Sequence, residues 1–268
     1  MRVVVWVREI PDTRDLIGEI LGQDSMPKWD DWDTRIDPED LNSLEMALQW
    51  KDRDPRLEVT AVSVGEPKKL DVLRECLYRG VDQVVRLSGE GQPQDLLWEA
   101  RLLAGAVRRL DAQVVFTGVQ LNETECGHKG VFLAHALGWP VATYVEALEQ
   151  GELGGPMKLR RAVEQGVELV EATPPLVISV GVALLKDDPR APRSARAKLK
   201  LQHKKTQIPQ WQIQELGSFL EQRSGGGTRI LAFRSQPQRD FPARRVDGSS
   251  QAELKAMVDE LRNQGLVR

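Results

Sequence analysis

Between Ala112 and Pro140 the chain reads AQVVFTGVQLNETECGHKGVFLAHALGWP, where residue types and spacing come closest to a recognisable chemistry. A short apolar run, Val114–Thr117, stops at Gly118. A polar loop, Val119–Cys126, follows, and Gly127–Leu137 then carries apolar residues at helical spacing. Strand, loop and helix in that order place the first amides of a helix at the carboxyl edge of a sheet. Those amides have no partner inside the helix and carry partial positive charge, so they suit a phosphate group. Any strand-to-helix unit of an open parallel sheet shares the pattern, so this stretch alone weighs phosphate binding evenly against plain structure. Cys126 and His128 are types that ligate metal or pair a nucleophile with a base. No second ligand pair stands at workable spacing, and His128 is too near along the chain to serve as a base. The pair therefore reads as loop. Ser224–Gly227 is Gly-rich but follows no strand, and reads as a linker.

The elements that must position this loop alternate along the chain. Arg2–Val7 is a continuous β-branched run, as in a strand buried on both faces, and Pro11-Asp12 ends it. Leu16–Arg35 is polar, with Gly, Pro and Trp, and reads as a loop or small hairpin. Asp37 can cap a helix whose first turn holds Pro38 and which runs to about Asp52. Leu57–Val64 is a second strand, Pro67–Tyr78 a helix ended by Gly80, Gln83–Leu87 a third strand, and Pro93–Leu110 a long amphipathic helix. This alternation predicts a doubly wound, mostly parallel α/β sheet with right-handed crossovers, Rossmann-like in kind. After Pro140 the pattern changes. Lys158–Val163 and Val167–Glu171 flank a short turn and predict an added antiparallel hairpin, and Pro175–Leu185 is a further strand. The organisation expected is a nucleotide-binding α/β domain over 1–185, a basic loop and connection over 186–224, and a C-terminal arm over 225–268 ending in helix Gln251–Gln264.

The 268 residues are 41% hydrophobic and 29% charged, enough apolar content for a sizeable core in an ordinary globular chain. A net charge of -3 argues against general nucleic-acid binding. The opening MRVVVWVREIPD is too short in apolar residues for a signal peptide, and no stretch approaches a membrane span of roughly 18 apolar residues. Cys76 and Cys126 give no disulfide framework, and a reducing, cytoplasmic compartment is expected.

Five segments in order carry a resemblance. They are MRVVVWVREIPD, RIDPEDLNSLEMALQWKD, VTAVSVGEP, LRECLYRGVDQVVRL and TGVQLNETECGHKG, with LGWP at the expected distance after the last. Together they resemble the β subunit of electron transfer flavoproteins, the FixA-type family, over nearly the whole length and in a divergent form. The resemblance implies a heterodimer with an electron transfer flavoprotein α subunit that holds the redox-active FAD. It also implies AMP or a second FAD in this chain, and a redox partner such as a dehydrogenase or quinone oxidoreductase. It implies an electron-carrier subunit rather than an enzyme.

Carried over position by position, the nucleotide contacts would come from Trp6, from Asp37, Pro38, Glu39 and Asp40, and from Val64. The remainder would come from the loop Gly118, Val119, Gln120, Leu121, Asn122, Glu123, Thr124, Glu125, Cys126, Gly127, His128, Lys129 and Gly130. Amides near Gly127–Gly130 would hold the phosphate, with charge added by Lys129. A partner-docking loop would use Pro189, Arg190, Arg193, Ser194, Arg196 and Lys198. No catalytic or metal-ligating residues are implied.

Several positions depart from the family pattern. Its Asn-Gln-Thr reads Gly127, His128, Lys129 here, so side-chain contacts from the Gln-Thr pair are lost or replaced. The Asn of Asn-Pro is Asp37. Trp6 stands where a small residue is usual, and would narrow an adenine site or stack on the base. Ala191–Arg196 lacks the family's apolar anchor leucine. The alternative is a free-standing adenine-nucleotide-binding enzyme or sensor of the same fold. Against it, Glu9-Ile10-Pro11-Asp12 stands where a Ser-Gly-Gly-x-Asp-Ser loop would be needed, and no paired acid and base is visible.

Overall fold

The computed structural model describes residues 1–14, 22, 32–65, 70–88, 95–122, 125–151, 154–181, 191–216 and 245–267. The chain divides into two compact units, Met1–Leu231 and Ala232–Arg268. In the first unit the described elements are β1 (Arg2–Trp6), β2 (Glu9–Pro11), β3 (Thr34–Ile36), α1 (Pro38–Arg53), β4 (Glu58–Gly65), α2 (Asp71–Arg79), β5 (Gln83–Ser88), α3 (Leu96–Arg109), β6 (Val114–Gly118), α4 (Lys129–Leu137), β7 (Val141–Gly151), β8 (Met157–Val163), β9 (Gly166–Ala172), β10 (Leu176–Val180), α5 (Ala197–His203) and β11 (Gln210–Trp211). The second unit contains α6 (Gln251–Asn263).

The β-branched runs become strands because both faces of the sheet are covered by helices. Val3 and Val5 join the core on the α1 and α2 side, while Val4 and Trp6 join the core on the α3 and α4 side. The described strands form a nine-stranded sheet in the order β11-β5-β4-β1-β6-β10-β7-β8-β9, with a separate antiparallel pair, β2-β3. Pairing is parallel from β11 through β7, and β8 and β9 add the antiparallel hairpin that the sequence predicts. β1 pairs with both β4 and β6. From β1 the chain winds outward through β4 and β5, then returns to β6 and winds the other way. The topological switch thus lies between β1 and β6, where open α/β sheets form a crevice at the carboxyl ends of their strands.

Three differences from the sequence-based expectations have local causes. β7 is unanticipated: its alternating apolar and polar residues are interrupted by Tyr144 at a positive φ of 55° and by register shifts against β8. The basic stretch expected as a loop contains α5, whose sequence AKLKLQH favours helix and lies against α2 through Arg196 N donating to Tyr78 O. Within Leu16–Arg35 the described part is β3, paired with β2, and most of the rest lies outside the described residues. The domain division expected near Gly225 also falls outside them.

Gly105, in the middle of α3, is set by a close approach. A Cβ there would lie 2.7 Å from the Leu216 carbonyl oxygen and 2.9 Å from its Cβ. Helix propensity alone favours Gly→Ala by about 1 kcal/mol. Overpacking against backbone costs about 1–3 kcal/mol and outweighs it. Gly105→Ala is therefore expected to lower stability, read as an earlier urea midpoint with unchanged m-value.

Candidate functional site

The switch-point crevice is built from three strand ends and the start of one helix. β1 ends at Trp6, β4 at Gly65 and β6 at Gly118, and α1 begins beside them behind its cap, Asp37. The Asp37 side chain accepts from Glu39 N at 3.1 Å, and Pro38 occupies the first turn, where its missing N–H costs nothing.

Three carboxylates of this helix start reach across to the loop after β6. Asp40 Oδ1 accepts from Gly118 N at 2.9 Å, Glu39 Oε2 from Gln120 N at 2.6 Å, and Asp37 Oδ2 from Asn122 N at 3.2 Å. Asp40 Oδ2 also accepts from Arg8 N at 2.8 Å, which ties the segment after β1 to the same carboxylate. Gly118 permits this closeness. A Cβ there would stand 2.7 Å from Glu39 Cβ and 2.9 Å from Asp40 Oδ1.

Lys129, the first residue of α4, is fully buried and points inward. Its Nζ donates to Asp40 Oδ1 at 2.5 Å and to the Trp6 carbonyl at 3.2 Å, and lies 4.8 Å from the centre of the Trp6 ring. Burial pushes its pKa down, and the Asp40 carboxylate pulls in the opposite direction. Trp6 is also fully buried, and its indole Nε1 has no hydrogen-bond partner among the described residues. At the β4 side, Arg86 of β5 is fully buried. Its guanidinium donates to Ser63 Oγ at 3.1 Å and to the Val64 carbonyl at 3.4 Å, and forms an ion pair with Glu9. Glu9 is held in turn by Thr34 Oγ1 at 2.6 Å.

Burial raises the pKa of both Asp37 and Glu39, and neighbouring carboxylates add to the rise. The folded state then binds more protons than the unfolded chain just above the ordinary carboxylate range. Stability from these groups falls as pH rises through that window, and the penalty is complete above the folded pKa values. Glu39→Gln keeps an acceptor for Gln120 N and removes the charge. It is expected to be more stable than the parent at neutral pH by on the order of 1 kcal/mol, with the advantage vanishing on acidification, as thermal melts at stepped pH would read.

The residues singled out from sequence are placed as follows. Trp6, Asp37, Pro38, Glu39, Asp40, Val64, Gly118, Gln120, Asn122 and Lys129 converge on the crevice through the contacts above. Val119 N donates to Val180 O, and Leu121 N to Cys126 O. Glu125 turns the loop at a positive φ of 53°. Cys126 Sγ sits 2.8 Å from His128 Nδ1, so the two side chains do meet despite their closeness in sequence, and His128 stacks on Phe132. Among the described residues no group of three or more His, Cys, Asp or Glu could hold a metal. Gly127 is open, while Gly130 packs close to Ser179. Glu123, Thr124, Pro189 and Arg190 lie outside the described residues.

Two expectations are corrected by the contacts. Lys129 adds no free charge for a phosphate, because Asp40 engages it in the interior. Arg193 is not an outward docking group: it binds Glu45 at 2.9 Å and Asp52 at 2.8 Å on α1. Ser194, Arg196 and Lys198 are exposed. Arg8, Glu9 and Arg86 were missed by sequence reasoning. The signal was an arginine inside the apolar run QVVRLS, which a buried strand tolerates only with a partner.

The nucleotide implied by the resemblance fits this arrangement poorly. The loop amides at Gly118, Gln120 and Asn122 already donate to carboxylates, and the Val64 carbonyl accepts from Arg86.

The model of the family described as "Electron transfer flavoprotein domain" matches residues 30–212. The chain is 32% identical over 184 residues to an electron transfer flavoprotein subunit beta of Clostridium acetobutylicum, covering 67% of this chain and 68% of that one. It is 30% identical over 197 residues to the caffeyl-CoA reductase-Etf complex subunit CarD of Acetobacterium woodii, covering 71% of each. An electron transfer flavoprotein subunit beta of Megasphaera elsdenii aligns over the full length of both chains at 26% identity.

Proposed function

Since the chain belongs to the electron transfer flavoprotein family, in its β-subunit, FixA-type branch, we propose that it serves as the β subunit of a heterodimer whose α subunit carries the redox-active FAD. That flavin would take electrons from a dehydrogenase and pass them to an acceptor such as a quinone oxidoreductase. This chain would contribute no bond-making step. Its sheet would brace the partner's flavin domain, and the exposed residues Ser194, Arg196 and Lys198 would face the docking side. The family expectation of AMP or a second FAD in this chain would fall on the crevice of Trp6, Asp37–Asp40, Val64 and Gly118–Gly130. The full-length alignment with the Megasphaera subunit is the observation that carries the reading. Among the described residues no helix is long and apolar enough to cross a membrane.

Production of the chain together with an α subunit from the same genome tests this. A stable one-to-one yellow complex is expected, and a colourless chain that captures neither partner nor flavin would overturn it.

The C-terminal unit would supply a second grip on the partner. In α6, Leu254, Met257, Val258 and Leu261 share one face, and no residue of the helix is fully buried. Both core clusters lie in the first unit. Deleting residues 232–268 is therefore expected to leave the sheet folded and to weaken capture of the α subunit by about tenfold or more, roughly 1.4 kcal/mol, in a pull-down titration.

A further inference from the structure

We propose that this chain fills the switch-point crevice with its own side chains and retains no adenine nucleotide there. The inference replaces the family expectation of a nucleotide in this crevice, and it rests on the family membership rather than on the heterodimer.

An adenylate in such a crevice needs amide donors for its phosphate, a polar backbone edge for its base, and room between strand end and helix start. Much of the crevice is already committed from within. The loop donors at Gly118, Gln120 and Asn122 point at Asp40, Glu39 and Asp37. A phosphate on the remaining donors, the amides of Gly127–Gly130 at the start of α4, would lie beside a loop held by three carboxylates. Like charges in a buried site repel strongly, and the nearby ammonium of Lys129 is engaged by Asp40. At the other end, Arg86 donates to the Val64 carbonyl, and Glu9 holds the guanidinium in place. The Trp6 ring is fully buried at the end of β1, with the Lys129 ammonium 4.8 Å from its centre.

Two features speak for a ligand and are insufficient. The first turn of α4 has no side-chain cap, and Trp6 Nε1 has no acceptor among the described residues. One indole donor and one short helix start do not offset the repulsion from Asp37 and Glu39. The internal ion pairs thus take over the role a bound nucleotide would have in tying α1, β1 and the loop after β6 together.

The test uses the full-length chain purified with its α partner. Denaturation followed by mass spectrometry should release FAD in no more than the amount the α subunit accounts for, and AMP far below one per heterodimer. Millimolar AMP should leave the melting temperature unchanged, whereas a ligand at about 100 times its Kd raises it by roughly 5–10 °C in a chain of this size. One AMP or a second FAD per heterodimer, or a clear AMP-dependent rise, overturns the proposal. Asp37→Asn/Glu39→Gln, and the same pair with Trp6→Ala, should each acquire an AMP-dependent rise over their own baseline. If neither responds, the side chains are not what excludes the nucleotide, and the proposal falls. If no α subunit assembles, the heterodimer reading fails, while the same nucleotide measurements on the full-length chain still decide this one.

Discussion

Asp40→Ala is expected to destabilise the protein by about 3–5 kcal/mol, the scale for removing one partner of a buried ion pair. Three losses coincide at this residue. Lys129 keeps its charge in the interior with the Trp6 carbonyl and ring and the attraction of Asp37 in place of its direct partner, and the amides of Gly118 and Arg8 lose their acceptor. At about 2–4 °C per kcal/mol for chains of this size, the melting temperature should fall by roughly 10 °C.

A double variant separates charge from packing. Asp40→Ala/Lys129→Met removes the stranded ammonium and should recover part of the loss, though not the amide bonds. The pH dependence gives an independent reading. In Asp40→Ala the pKa of Lys129 in the folded chain sits below its ordinary 10.5, because burial remains while the attraction of Asp40 is gone. The unfolded chain then binds more protons in the alkaline range, so the single variant gains stability as pH rises toward 10.5. A deficit independent of pH would mean that Lys129 is not the source of the cost.

How much of this was legible in the sequence depends on the kind of signal. The parallel core was readable because Val3–Val7 and Val114–Phe116 are unbroken apolar runs, Val59–Val62 is interrupted by Thr60, itself β-branched, and the helix start at Asp37 carries its own cap. β7 was not, since a strand bent by a left-handed Tyr144 alternates imperfectly. The site positions were found through resemblance, yet their state was not. Nothing in the string DPED says that its carboxylates face a loop some eighty residues later. The spacing of TECGHK says equally little about whether Lys129 points outward to an anion or inward to Asp40. Long-range pairing of charges is a property of topology, and only the strand order β4-β1-β6 brings the two segments together.

Arg86→Met should cost about 3–5 kcal/mol by the same logic at the other end of the crevice. It leaves the Glu9 carboxylate, only a tenth exposed, with Thr34 as its remaining partner among the described residues, and strips a donor from Ser63 and Val64. Glu9→Gln added to Arg86→Met removes the stranded charge and should restore much of the stability, whereas Arg86→Lys should restore little, because an ammonium cannot reproduce the planar fork. The two ends are not independent. Arg8 and Glu9 are neighbours in the chain, one bonded through its amide to Asp40 and the other through its side chain to Arg86. Once either hold is lost the segment after β1 is already loosened, so the second loss removes less. The double variant Asp40→Ala/Arg86→Met is therefore expected to fall short of the sum of the singles by about 0.5–3 kcal/mol in a double-mutant cycle. Strict additivity would show that the crevice is two separate ion pairs rather than one internally braced closure.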